Sequence, residues 1–144
     1  TTLFRSDVLF VDYLHLIREG TTTSPDRVQA LGQIAEGLRD LGKRLDIPVV
    51  ALAQLNRALD GRTSRVPQLS DLRGSGRLEE TTDVAIFLYR EEFYERHTPK
   101  MGLAELHIAK HRQGRTGVVP LRYEAATTSF QNLAQSQYQP VGGM

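Results

Sequence analysis

The sequence predicts an α/β fold: a parallel core with flanking helices, finished at one edge by an antiparallel extension. Two short apolar runs, Val8–Val11 and Val49–Ala53, flank an amphipathic stretch of helix length. Strand, helix, strand in that order is a crossover unit, which closes right-handed into a parallel sheet. Farther on, Leu103–Lys110 and Val118–Tyr123 alternate apolar and polar residues across a glycine-containing link, the pattern of a hairpin.

Each element has a local cause. The first run lies within Asp7–Tyr13 and is continuous rather than alternating, as in a strand buried on both faces of a parallel sheet. Gly20–Thr23 reads as a loop, and Ser24-Pro25 supplies a capping hydroxyl followed by a first-turn proline. Val28, Leu31, Ile34, Ala35, Leu38, Leu41 and Leu45 then recur at three- and four-residue spacing, a helix of about five turns. Gly32, Gly37 and Gly42 weaken it by roughly 1 kcal/mol each relative to alanine, and close packing against a neighbour is one reason for keeping them. Pro48 ends the helix and opens the second strand.

Asn56–Gly76 is polar and unpatterned and is read as a long functional loop. A helical turn is expected at Leu78–Thr82, a third apolar strand at Val84–Leu88, and a charged excursion at Glu91–Lys100. A last short strand is expected around Phe130 and Leu133. The folded part is therefore residues 1–133, and residues 134–144 form a polar tail.

Composition excludes more than it suggests. The 144 residues carry a net charge of +1, so any attraction for a polyanion is local. The absence of cysteine excludes a disulfide scaffold, cysteine-ligated zinc and thiol catalysis. No apolar run reaches the roughly 18 residues of a membrane span, and the histidines His15, His97, His107 and His111 lack metal-ligand spacing. No nucleophile elbow is present. The opening Thr1-Thr2-Leu3-Phe4, without methionine, fits a piece of a longer protein.

Four places carry candidate chemistry. Asp12 follows four apolar residues at the carboxyl end of its strand, where open α/β sheets bind ligands, and a carboxylate there suits Mg²⁺ beside a phosphate. It also suits a cap or an ordinary salt bridge. Gln54 ends the second strand and can both donate and accept toward a phosphate or a water, or simply cap the strand. Between Arg57 and Arg77, five arginines face two aspartates, a local charge of +3 around Gly74-Ser75-Gly76, where backbone can approach a ligand closely. A solvated surface loop has the same composition. Lys110 and Arg112 stand one residue apart where a strand runs into a turn, a spacing that points both cations one way from an extended chain toward one phosphate. Basic hairpin tips are also common without function.

Taken together and in order, these segments resemble the RecA-type motor domain of DnaB-like replicative helicases. Val8–Leu16 resembles the family's Walker B strand. Pro48–Arg57 is similar to its next core strand with a phosphate-sensing glutamine, and Ser70–Glu79 to its DNA-binding loop. Asp83–Arg90 resembles the strand that follows, and Ile108–Gly117 the segment bearing a trans-acting lysine and arginine finger. The resemblance runs from about Val8 to Leu133.

It implies a RecA-like, mostly parallel sheet in a homohexamer that hydrolyses ATP or another NTP with Mg²⁺ at subunit interfaces. Such a ring moves along single-stranded DNA and unwinds duplex. Asp12 would bind Mg²⁺, Gln54 would couple the γ-phosphate to DNA, and Lys110 and Arg112 would reach the neighbour's nucleotide. Arg57, Arg73, Gly74, Ser75 and Gly76 would contact DNA. Primase and a helicase loader are the implied partners, and the cytoplasm of a bacterium, at the nucleoid or replisome, or a phage-encoded setting, the implied location.

The sequence also departs from the family. His15 stands where glutamine is usual, and Arg73-Gly74-Ser75-Gly76 where Arg-Glu-Ser-Gly is usual. No G-x-x-x-x-G-K-[ST] occurs, nor the strand with the family's catalytic glutamate, so these residues alone are expected to bind ATP poorly and hydrolyse none. The alternatives are another RecA-type ATPase, such as a recombinase or a circadian-clock-like ATPase, and a non-catalytic nucleic-acid-binding module. Strand displacement separates the helicase from the first. A gene encoding only these residues would favour the second.

Overall fold

The computed structural model describes residues 7–17, 27–55, 62, 64–75 and 77–133, with backbone alone at 27–28 and 73–75. The loop expected at Gly20–Thr23, the cap at Ser24-Pro25 and the tail 134–144 lie outside the described residues. The chain divides into two compact units, Thr1–Gly61 with Leu69–Asp83 and Arg62–Gln68 with Val84–Met144.

The first unit is built on a parallel pair, β1 (Leu9–Val11) and β2 (Val49–Ala51), in the register Leu9↔Val49, Phe10↔Val50 and Val11↔Ala51. The helix between them, α1 (Arg27–Leu45), has the length its periodicity predicts. Its apolar stripe packs Leu31 against Leu14 and Leu78, with Val11, Ile34, Ala35 and Leu38 around them. Leu78 comes from a short helix, α2 (Leu78–Thr81). Between β2 and α2 the long loop is not wholly irregular: Leu69–Ser75 is a 3₁₀ helix. Leu69 and Leu72 are its only apolar residues, a single three-residue period from which no helix was legible.

Burial on both faces, expected from the continuous apolar runs, is not found for β1 and β2. Phe10 is 66% exposed, Val50 45% and Leu52 48%. The reason lies in the layers: α1 packs beside Val11 on one side, and among the described residues of this unit no second layer covers the other.

Two of the three helix glycines have a packing reason. A Cβ at Gly42 would stand 3.0 Å from the Ile47 carbonyl oxygen and from Val49 Cγ2, and one at Gly32 would stand 3.3 Å from the Arg77 nitrogen. The helix ends by turning back on itself: Asp46 adopts φ 53° and Ile47 N–H donates to the Gly42 carbonyl at 3.0 Å. This six-to-one bond is the closing bond of a Schellman motif, and it draws the carbonyl oxygen of Ile47 onto Gly42. At Gly37 nothing lies within 4 Å of the added carbon.

The second unit is a four-stranded antiparallel sheet in the order β3 (Val84–Tyr89), β4 (Leu103–His111), β5 (Gly117–Glu124), β6 (Ser129–Asn132). The hairpin expected from alternation is β4–β5, and the last strand expected near Phe130 is β6. The antiparallel part also takes in β3, which pairs with β4. Along β3, Ala85, Phe87 and Tyr89 are buried while Val84, Ile86 and Leu88 are exposed, the period of two of a strand covered on one face.

The charged excursion between β3 and β4 is held by ion pairs. Arg90 donates to Glu92, whose other oxygen accepts the Gly102 N–H at 2.8 Å. Gly102 has φ +67°, a conformation suited to glycine. Lys100 Nζ bridges Glu91 at 3.2 Å and Glu105 at 3.0 Å, and Thr98 donates to Glu91. Glu105 also meets His107 Nε2 at 2.8 Å, and His107 stands edge-on to Tyr89. Arg90 lies over the Tyr123 ring, 3.4 Å from its centroid.

These contacts set the charge states. The Gly102 N–H and then Arg90 hold the Glu92 carboxyl below the ordinary carboxylate range. Burial opposes ionisation of Glu105, but hydrogen bonds from Lys100 and His107 outweigh it and its carboxyl also falls. Lys100 is raised, chiefly by its bond to Glu105, and burial followed by Glu91 raises Tyr89.

The packing makes two predictions. Gly37→Ala should stabilise the chain by roughly 0.5–1 kcal/mol in urea unfolding, while Gly42→Ala should not, because backbone occupies the space; equal gains would contradict the packing. Carboxyls held low stabilise the fold above the ordinary carboxylate range and lose that contribution as pH falls through their folded values. Glu92→Gln should therefore weaken the fold at neutral pH and flatten its acid-side decline, measured as unfolding midpoint against pH. An unchanged acid-side slope would contradict this.

Candidate functional site

The first group of candidates lies at the carboxyl ends of β1 and β2. Asp12 is the residue after β1 and Gln54 lies three residues past β2, both exposed. Phe10 pairs with Val50 and Val11 with Ala51, so Asp12, Leu52 and Gln54 all lie just past the carboxyl ends of the pair, where strand alternation no longer governs them. The pairing has an irregularity at the acid. Leu52 N–H donates to the Val11 carbonyl and its own carbonyl accepts from Leu14 N–H, both at 2.9 Å. A regular parallel ladder would use the amide of residue 13, so Asp12 and Tyr13 together occupy one ladder step. The chain then turns into a 3₁₀ segment, Leu14–Leu16, whose Leu14 is buried under α1.

An exposed carboxylate and an exposed neutral amide, both past the carboxyl ends of parallel strands, suit a hydrated divalent cation with a phosphate. The donor set does not include a phosphate cradle, because the 144 residues hold no G-x-x-x-x-G-K-[ST]. Among the described residues no three His, Asp or Glu converge on one point.

The arginine loop is only partly described. Arg57 and Gly76 lie outside the described residues, while Arg73, Gly74 and Ser75 form the last turn of the 3₁₀ helix Leu69–Ser75. Arg77 is paired with Glu36 of α1 at 3.1 Å, an exposed ion pair of small energetic weight.

The last candidates sit in the second unit, at the tip of the β4–β5 hairpin. Lys110 is in β4, whereas Arg112 lies one residue past its end at His111. Strand alternation therefore governs Lys110 only, and the direction of Arg112 belongs to the turn. The β3–β4 register is Ala85↔Lys110 and Ile86↔Ile108, which leaves Ala109 without a partner on β3. Such a bulge bends the strand and re-aims the residues beyond it. Pairing with β5 stops earlier, at Ile108↔Gly117. Among the strands, Lys110 and His111 therefore pair with β3 and not with β5.

Sequence reading missed Glu105, which ties Lys100 and His107 to the strand that carries Lys110. The available signal was the Glu-x-His spacing on a strand, which places both side chains on one face. His107, bonded to Glu105 and set against Tyr89, is structural.

Known proteins are similar to this chain in sequence and fold. Residues 3–132 match the family described as DnaB-like helicase C terminal domain. Replicative DNA helicase DnaB of Rickettsia felis is 40% identical over 148 residues, covering 91% of this chain and 30% of that protein. The protein of the same name from Buchnera aphidicola is 40% identical over 131 residues, 91% of this chain and 28% of its own length. Among solved structures, a DnaB-like replicative helicase, described with its interactions with primase, superposes with a TM-score of 0.83 at 37% identity, over 88% of this chain and 31% of that one. A second, described as an ATPase domain, gives 0.83 at 36% identity over 88% and 44%. The chain spans about three tenths of the length of the curated relatives it matches. No described helix is long and apolar enough to cross a membrane. With the family matched over residues 3–132 and the α/β fold shared with RecA-like helicase domains, the chain belongs to the DnaB-like helicase C-terminal domain family.

Proposed function

We propose that these residues form part of a replicative DNA helicase that couples NTP hydrolysis to movement along single-stranded DNA. One observation carries the reading: within a stretch matched to the helicase family, an acid and an amide both lie past the carboxyl ends of a parallel pair. Asp12 would hold Mg²⁺ through its water shell, and Gln54 would contact the γ-phosphate. Bound there, the ion would neutralise charge developing on the phosphates.

Lys110 and Arg112 would act differently: their position at a hairpin tip, beyond the last β5 pairing, supports the reading that they meet a phosphate supplied by another subunit. A finger offered in trans makes hydrolysis depend on assembly, here a homohexamer. Arg57 and the Arg73–Gly76 segment would meet DNA phosphates, with backbone N–H groups doing more than side chains at Gly74. Primase and a loader are the proposed protein partners, and the bacterial cytoplasm or a phage-infected cell the proposed setting. Without a phosphate cradle, these 144 residues alone would turn over no NTP.

The test is Arg112→Ala in a subunit of the relatives' full length carrying these residues. Turnover should fall by about 10³–10⁵, the worth of an arginine finger, with hexamer assembly and nucleotide affinity retained. Full turnover would remove Arg112 from the role.

A further inference from the structure

The hairpin tip presents a mechanical problem. Eight residues separate Ile108 from Gly117, the last pair between β4 and β5, and Lys110 and His111 are laddered on one side only. Arg112, Gln113 and Gly114 lie beyond both ladders and are exposed. A loop so placed is ordinarily among the more mobile parts of a fold. A guanidinium that must meet a phosphate across an interface needs the opposite, since a misplacement of about 1 Å can cost 10²-fold in rate.

A contact between ring and backbone crosses this loop. The imidazole of His111 lies over the backbone of Gly114, in the volume a side chain there would fill. A Cβ built on Gly114 would fall under 3.0 Å from Cε1, Nδ1 and Nε2 of the ring. His111 is the last residue of β4 and pairs with Val84 of β3, so the ring is carried by the laddered end of the strand. Gly114 is the far side of the turn. Ring and glycine thus bracket Arg112 and Gln113 between the last residue paired with β3, itself exposed, and a backbone seat. At Gly114 the ring takes the space a side chain would fill, and the backbone there is not left-handed.

We propose that His111 and Gly114 form a brace that positions Arg112, making His111 a positioning residue for the hydrolysis to which Arg112 contributes. The proposal rests on the reading of Arg112 as the finger. The brace works by shape, through a flat ring resting on bare backbone, so an aromatic ring without titratable nitrogens should serve.

The test is a mutant cycle in a subunit of the relatives' full length carrying these residues, with ATP turnover, KM and hexamer assembly as readouts. His111→Ala and Gly114→Ala should each lower kcat by roughly one to two orders of magnitude with KM and assembly unchanged. His111→Phe should restore most of the loss. The double variant should be no worse than either single, because both remove the same contact. Wild-type kcat in His111→Ala, or losses that add in the double variant, would overturn the brace. Arg112→Ala separates the two ideas: loss of turnover there with full activity in His111→Ala sinks the brace alone, whereas full activity in Arg112→Ala sinks the finger and the brace with it.

Discussion

Strand register is the constraint on which this chain's chemistry depends. Phe10 opposite Val50 fixes how β1 pairs with β2, and thereby brings Asp12 and Gln54 past the same, carboxyl end of the sheet. A slip of one residue would turn Val11 away from the face packed by α1. The register is fixed by the core beneath it: Val11 and Leu14 meet Leu31, Ile34, Ala35 and Leu38 of the helix. Gly42 lets the end of that helix approach the start of β2, so the helix is clamped to the ladder it orients.

Each ladder is broken by one residue beside a candidate. In the first unit Asp12 and Tyr13 share a single step opposite Leu52. In the second, Ala109 is left out between Ile108 and Lys110. Irregularities of this kind re-aim side chains and end pairing, and they are common next to active sites. A regular strand would hold these side chains in the plane of the alternation. The bulge instead starts a bend that the turn at Arg112 completes, and the ion pairs of Lys100, Glu105 and His107 hold the strand before it.

Much of this was legible in the sequence. The stripe of α1 and the alternation of β4 and β5 are one-dimensional patterns, and each became the expected element. The positions of Asp12 and Lys110 followed from strand ends, which apolar runs mark well. The features that were not legible are three-dimensional. Continuous apolar runs read as strands buried on both faces, yet Phe10 and Val50 are open, because burial depends on a second layer and not on the strand itself. The 3₁₀ helix Leu69–Ser75 left only Leu69 and Leu72, one period of three, too short a repeat to mark a helix in Leu-Ser-Asp-Leu-Arg-Gly-Ser. Neither bulge has a signature in composition. Spacing alone also set Arg112 in line with Lys110, and the strand stops before it reaches Arg112.

In the proposed ring, Asp12 and Arg112 serve a single reaction from different subunits. Mixing two inactive subunits of the relatives' full length, one Asp12→Ala and the other Arg112→Ala, tests this directly. In a randomly mixed ring of identical interfaces, about a quarter would join an intact acid to an intact arginine from the neighbour. ATP turnover, absent from either variant alone, should return on mixing and peak near equal proportions. Mixed rings that assemble and remain inactive at every ratio would contradict it.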